Sequence, residues 1–440
     1  MPTRGDLFDP VFGAIQVAEH LSDQAWVTAL LDVEAALSCA AATVGLADGE
    51  HCAAVAAAAA ELSGTLDIAA LGRASAAGGN PVIPLVKILR ERAAQAGVPG
   101  KVVHPGATSQ DIMDSALMLL ARRAGSVVLA DLTRAADAAA HLARAHRSTP
   151  MVARTLGQQA LPTTFGLLAT SWFTALDAAA VRLDATLSAL PVQFGGAAGT
   201  LAASYPDGLT LADAFADELG LARQVVPWHT DRVIIAELAT ALGIVAGAVS
   251  KPATDITTMA STELSEVAEN APGGSSAMPH KQNPVAAITA RAAARRVPAL
   301  VATALSNMDH EFARAAGPWH AEWETVTDLL RLAGGAAHQL SVSLTGLQVN
   351  PDAMARNLDI TDGLILAERV TKALSAHTDR ARDIVTAAAA SGTRLDQDPE
   401  ITEHLSVAEL SELLDPTHYL GHATDLVDRA LAGRPTGESR

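Results

Sequence analysis

Aromatic residues make up only 3% of the 440 residues, and β-branched runs are scarce, which argues against a fold built on sheets. Cysteine is nearly absent too. Cys39 and Cys52 lie in Ala-rich sequence with no CxxC or Cys/His metal spacing, so they read as small core residues in a reducing compartment. No uninterrupted apolar run reaches the roughly 18 residues needed to span a bilayer. The best candidate, Val233 to Val249, contains Glu237, Gly243 and Gly247. The opening Met-Pro-Thr-Arg-Gly-Asp has no apolar signal core, and a cytoplasmic protein is expected. Cations are outnumbered, 31 Lys and Arg against 48 Asp and Glu, for a net charge of −17. That balance argues against nucleic acid or an anionic membrane as partner. An acidic protein that binds an acidic substrate must instead concentrate its few cations locally.

What is abundant is alanine and other strong helix formers in long windows with few turn signals, and this predicts an all-α protein. Ser22 offers an N-cap before Trp26, Leu30, Val33 and Leu37. Asp111 to Arg147 contains no proline and carries apolar residues at helical spacing, so it reads as one very long helix. A second is expected to open at Pro162-Thr163 and close at Pro191, and a third to cover 229–271 with a kink at Pro252. Further helices are expected at Val285 to Asn307 and Trp323 to Gly346. Together these predict an N-terminal helical domain over 1–105, a central long-helix bundle over 106–348 and a C-terminal helical domain over 349–440.

Two segments carry chemistry. Residues 273 to 284, Gly-Gly-Ser-Ser-Ala-Met-Pro-His-Lys-Gln-Asn-Pro, join permissive glycines and two hydroxyls to Lys281 and Asn283, a point charge and an amide suited to carboxylate oxygens. Such a segment can close over a bound anion. The second, His104-Pro-Gly-Ala-Thr108-Ser109-Gln110-Asp111, stands at the start of the first long helix. Free backbone amides, the positive end of the helix dipole and two hydroxyls make an anion site there, although Thr108 and Asp111 also suit an ordinary capping pair. The Gly-rich connector Gly195 to Thr200 lacks GxGxxG spacing and no strand precedes it, which removes a nucleotide-binding reading. His310 and His229 read as members of polar networks, and Trp319 and Trp323 as core.

The 273–284 string closely resembles the signature loop of the fumarase/aspartase superfamily, and HPGATSQD resembles a substrate-binding segment of the same superfamily. Those enzymes form or break a bond at the carbon β to a carboxylate. In Arg154-Thr155-Leu156-Gly157-Gln158-Gln159, Leu156 stands where adenylosuccinate lyases carry a catalytic histidine, and Asn80 of Gly79-Asn80-Pro81 stands where they carry another. Expelling an amine requires a proton donor; a carboxylate or nitrite leaves without one. With QFGGAAGTLAA, PWHTDR and AAGPWHAEW, the chain looks most like the 3-carboxy-cis,cis-muconate cycloisomerase subfamily over about Asp23 to Leu431. It departs from that pattern at Phe312-Ala313-Arg314 and at Lys251-Pro252-Ala253-Thr254-Asp255.

The resemblance implies Ser275 as the catalytic residue and Asn80, His104, Thr108, Ser109, Gln158, Lys281, Asn283 and Arg314 as substrate contacts. It implies a small polycarboxylate substrate, no metal or organic cofactor, and a homotetramer with sites shared between subunits. The function implied is closure of 3-carboxymuconate to a lactone. The alternatives are β-elimination from another succinate derivative, nitrosuccinate-type or adenylosuccinate-type, and a non-catalytic structural protein on the same scaffold.

Overall fold

A computed structural model describes residues 7–274, 278 and 280–433. The fold is all-α, joined by two small two-stranded sheets. The chain divides into two compact units. The first comprises residues 1–133, 178–250 and 289–339, and the second 134–177, 251–288 and 340–440; every crossing between them falls inside a helix.

In the first unit the Asp23–Thr43 helix starts where the sequence expects, with Ser22 Oγ accepting the amide of Ala25 at 3.1 Å. Its buried face, including Val27, Leu30, Val33 and Leu37, packs on the helices Gly49–Thr65 and Gly208–Leu219. The Val82–Ala94 helix lies against Gly49–Thr65. Alanine on these faces leaves room for close helix approach, which explains how so few aromatics suffice for a core. The second unit holds the hairpin of β1 (Pro150–Thr155) and β2 (Gln158–Thr164), the pair β3 (Val267–Glu269) and β4 (Leu347–Val349), and a C-terminal cluster around Val370, Leu374, Ile384 and Leu405.

Several sequence expectations are corrected. The first long helix runs Ser109–Ala145, close to its expected span, but residues 150–164 form the β1–β2 hairpin and the next helix is Phe165–Ser188. The reversal is set by Leu156 and Gly157, both left-handed at φ 53° and 81°, and Thr164 Oγ1 caps the helix by accepting the amide of Leu167 at 3.1 Å. The third helix is Val233–Met259, with Pro252 inside it; the chain beyond it turns into β3, so it ends well short of residue 271. Val285–Ala294 and Val297–Ser306 are separate helices because Pro298 cannot donate within the turn before it.

Two helices, Asp23–Thr43 and Val233–Met259, are long and apolar enough by length and composition to cross a membrane, with mean hydropathy 1.4 and 2.0. The count of unbroken runs overlooked them. In the protein, 61% and 50% of these windows are buried. The cysteines are not free core thiols. Cys39 and Cys52 are half-buried and joined in a disulfide that ties Asp23–Thr43 to Gly49–Thr65. Thiol labelling of the denatured, unreduced chain should therefore find neither cysteine reactive, and reduction should expose both while lowering stability by roughly 2–4 kcal/mol. Two labelled thiols before reduction would remove the cross-link.

Candidate active site

The site begins at the first turn of the Ser109–Ala145 helix. Thr108 donates its amide to Asp111 Oδ2 at 2.9 Å, half of the expected capping pair. Asp111, fully buried, accepts three more bonds: from the amides of Gly195 at 3.0 Å and Gly196 at 2.9 Å, and from His229 Nε2 at 2.6 Å. One aspartate thus fixes the Gly-rich connector and the His229 segment onto the helix start. This answers why the glycines are there. A Cβ on Gly195 would come 2.7 Å from Pro227, and Gly196 is left-handed at φ 72°.

One turn later a second buried carboxylate gathers another set of partners. Asp114 accepts from Arg232 Nη1 at 2.9 Å, Trp319 Nε1 at 3.0 Å and Gln110 Nε2 at 3.1 Å. Arg232 reaches on to Glu322 Oε2 at 2.6 Å, and His310 Nε2 stands 3.3 Å from Glu322 Oε1. Arg232, Asp114 and Glu322 are each about 1% exposed. One cation faces two carboxylates, so burial pushes Glu322 up to about 7 against the pull of Arg232, while Arg232 is held charged. Burial and Arg232 push His310 down, so its imidazole stays neutral beside Glu322.

Arg314 Nη1 donates to Thr108 Oγ1 at 3.3 Å, and Nη2 to the carbonyls of Gly196 at 3.4 Å and Ala197 at 3.2 Å. A guanidinium, a hydroxyl and a helix N-terminus therefore share one place, with Ser109 as the first helical residue. His104 precedes them in the same loop, its Nδ1 2.7 Å from Glu34 Oε1. Asn80 is buried and its amide is committed locally, accepting from the Val82 amide at 3.1 Å and donating to the Gly78 carbonyl at 3.2 Å.

The remaining candidates belong to the second unit. Leu156 is fully exposed at the hairpin tip, and Gln158 is exposed beside it as the first residue of β2. Lys281 is exposed; Asn283 closes the base of the signature loop, its side chain donating to the Gly273 carbonyl at 3.1 Å and its amide to the same oxygen at 3.0 Å. Glu269 anchors the following helix by accepting the amides of Ala286 at 3.1 Å and Ala287 at 2.9 Å. Ser275 lies outside the described residues. Arg154 pairs with buried Glu266 at 2.9 and 2.7 Å, so this cation serves the hairpin.

Sequence reasoning missed Asp114, Arg232 and Glu34 as parts of the site. The sequence marks them only weakly, because Asp32 stands near Glu34, Asp111 near Asp114 and Asp231 beside Arg232, so none is a lone charge in an apolar window. The model of the family described as "Lyase" matches residues 8–299. A nitrosuccinate lyase of Streptomyces davaonensis is 45% identical, over 97% of this chain and 94% of that protein. A 3-carboxy-cis,cis-muconate cycloisomerase of Pseudomonas aeruginosa is 42% identical, over 97% and 96%. The crystal structure of the 3-carboxy-cis,cis-muconate lactonizing enzyme of Pseudomonas putida superimposes with a TM-score of 0.90 at 40% identity, over 97% and 98%.

The charge count around Arg232 has a measurable consequence. Because the folded chain holds the Glu322 proton more tightly than the unfolded chain does, this group adds stability that is complete below pH 4.5 and lost as pH rises through about 7. Glu322→Gln should accordingly gain stability on the wild type across that window in thermal melts. A variant that instead loses ground as pH rises would mean that Glu322 is ionised against Arg232.

Proposed function

The chain belongs to the fumarase/aspartase superfamily of lyases, and on that premise we propose that it closes 3-carboxy-cis,cis-muconate to a lactone by internal addition of a carboxylate. The observation that carries the reading is the meeting of Arg314 and Thr108 at the start of the Ser109–Ala145 helix, three kinds of donor suited to one carboxylate. In the forward reaction one substrate carboxylate oxygen forms a bond to an alkene carbon. The π pair moves toward the neighbouring carboxylate, giving an enediolate-like dianion. Thr108, Ser109, Lys281, Asn283 and Arg314 hold that charge, with Asn80, His104 and Gln158 as further contacts. Ser275 delivers a proton to the carbon and regains one from solvent. No bond to a poor leaving group breaks, so the one proton to be delivered is the one that Ser275 gives to carbon.

Two local features support that leaving-group argument. Leu156 is aliphatic and fully exposed, and the Asn80 amide is used in capping, so neither supplies a titratable proton. A second reading is favoured by the 45% identical relative: elimination of nitrite from nitrosuccinate, in which Ser275 takes the proton next to a carboxylate, the C–H pair becomes the new alkene bond, and nitrite departs with the C–N electron pair. The two readings share every proposed contact. The membership also supports a homotetramer in which segments of several copies complete each site.

A spectrophotometric assay with 3-carboxymuconate, run beside nitrosuccinate, adenylosuccinate and fumarate, tests the proposal. Turnover of 3-carboxymuconate is expected, with adenylosuccinate slower by at least the roughly 10²-fold that a general acid supplies; nitrite release alone would select the second reading. Ser275→Ala should cut turnover at least about a hundredfold, whereas Lys281→Ala should raise KM as well as lower kcat, since a carboxylate clamp acts in the ground state and the transition state. Unchanged kinetics in either variant would take that residue out of the site.

A further inference from the structure

Glu34 belongs to no motif, yet it is completely buried in the Asp23–Thr43 helix. Its Oε1 lies 2.7 Å from His104 Nδ1, and its Oε2 is buried with no hydrogen-bond partner among the described residues. A carboxylate taken out of water with half its acceptor capacity unused is costly to keep, and a neutral residue of similar shape would avoid that cost. What the position gains is the single contact to His104. The loop is pinned so that the contact forms. Ser38, one turn along from Glu34, donates its hydroxyl to the Val102 carbonyl at 2.9 Å, and Arg90 donates to the Val103 carbonyl at 3.1 Å. His104 itself is left-handed at φ 62°, a conformation uncommon for a residue with a Cβ. Its side chain is 15% exposed, and among the described residues its Nε2 makes no hydrogen bond. The ring therefore turns one nitrogen inward to Glu34 and keeps the other available, four positions before Thr108.

We propose that Glu34 is a positioning residue that holds His104 as an imidazolium, so that its Nε2–H donates to a substrate carboxylate bound at the Thr108 and Arg314 end of the helix. This rests on the carboxylate reading of that site and adds a third, conditional cation to it. The groups facing His104 are Glu34 from the Asp23–Thr43 helix, Arg90 from Val82–Ala94 and Asp111 from Ser109–Ala145. Burial and Arg90 pull the imidazole down; the hydrogen bond and charge of Glu34, with the charge of Asp111, outweigh them and raise it. Asp111 is already satisfied by His229 and three amides, so Glu34 is the carboxylate that bonds to this ring. Substrate affinity should then be full at low pH and fall as pH rises through the raised His104 pKa.

The test uses the full chain with 13C-labelled histidine, the His104 signal being assigned by its loss in His104→Gln. Glu34→Gln keeps the shape and can still donate to a neutral ring, so it should fold; Glu34→Asp is the conservative rescue. Glu34→Gln is expected to lower the His104 pKa and to raise KM about tenfold at pH values between the variant's His104 pKa and the wild type's, the scale of one charge-assisted hydrogen bond, with kcat changed far less. Glu34→Asp should restore most of the pKa. If the wild type turns over neither 3-carboxymuconate nor nitrosuccinate, calorimetric affinity for citrate, an unreactive tricarboxylate, replaces KM, so that failure of the functional reading and failure of the Glu34 role are read separately. A folded Glu34→Gln whose His104 titrates as in the wild type would overturn the inference. So would a lowered pKa with KM or citrate affinity unmoved, or a wild type that binds neither substrate nor citrate.

Discussion

The site depends on satisfying two carboxylates buried one turn apart on one helix. Asp111 and Asp114 stand on the same face of Ser109–Ala145, at the i and i+3 spacing, and neither can stay charged away from water without partners. Asp111 finds His229 and three amides; Asp114 finds Arg232, Trp319 and Gln110. Every one of those partners except Gln110 and the Thr108 amide comes from more than 70 residues away. Removing one member of a buried pair of this kind typically costs roughly 3–5 kcal/mol, because the other charge is stranded. The loops are therefore bound to the helix start by the same requirement that keeps the unit folded.

That arrangement separates holding from acting. Arg232 is the cation enclosed by acid, and it cannot reach a ligand without giving up Asp114 or Glu322. Arg314 is different. It is held by a hydroxyl and two carbonyls, all neutral, and among the described residues no carboxylate pairs with it. In a chain with net charge −17, a guanidinium placed at a helix N-terminus concentrates positive charge locally, as the proposed anionic substrate would require.

Two small geometric facts shape the chemistry. The β1–β2 turn places Leu156 at a left-handed position with its side chain in solvent, and Asn80 spends its amide in starting the Val82–Ala94 helix. Neither side chain thus offers a titratable proton, in keeping with the proposed reaction, in which no amine must be protonated.

The sequence by itself determined the all-α character, the Ser22 cap and the near-full extent of Ser109–Ala145, because each depends on local propensity, periodicity or capping within a few residues. His229 and His310 read as network residues, and each faces a buried carboxylate, Asp111 and Glu322 respectively. The tertiary structure alone decided which partners. The hairpin at 150–164 arose from two left-handed residues and pairing that no helical period encodes, and β3 from a strand contributed by Leu347–Val349, some 80 residues downstream. Cys39 and Cys52 looked like isolated small core residues until two packed helices brought them together. Glu34 is the clearest case. In the sequence it is one acid in an amphipathic helix; only the fold carries His104 onto it, because a contact across 70 residues is set by packing and not by anything either residue's neighbours can specify.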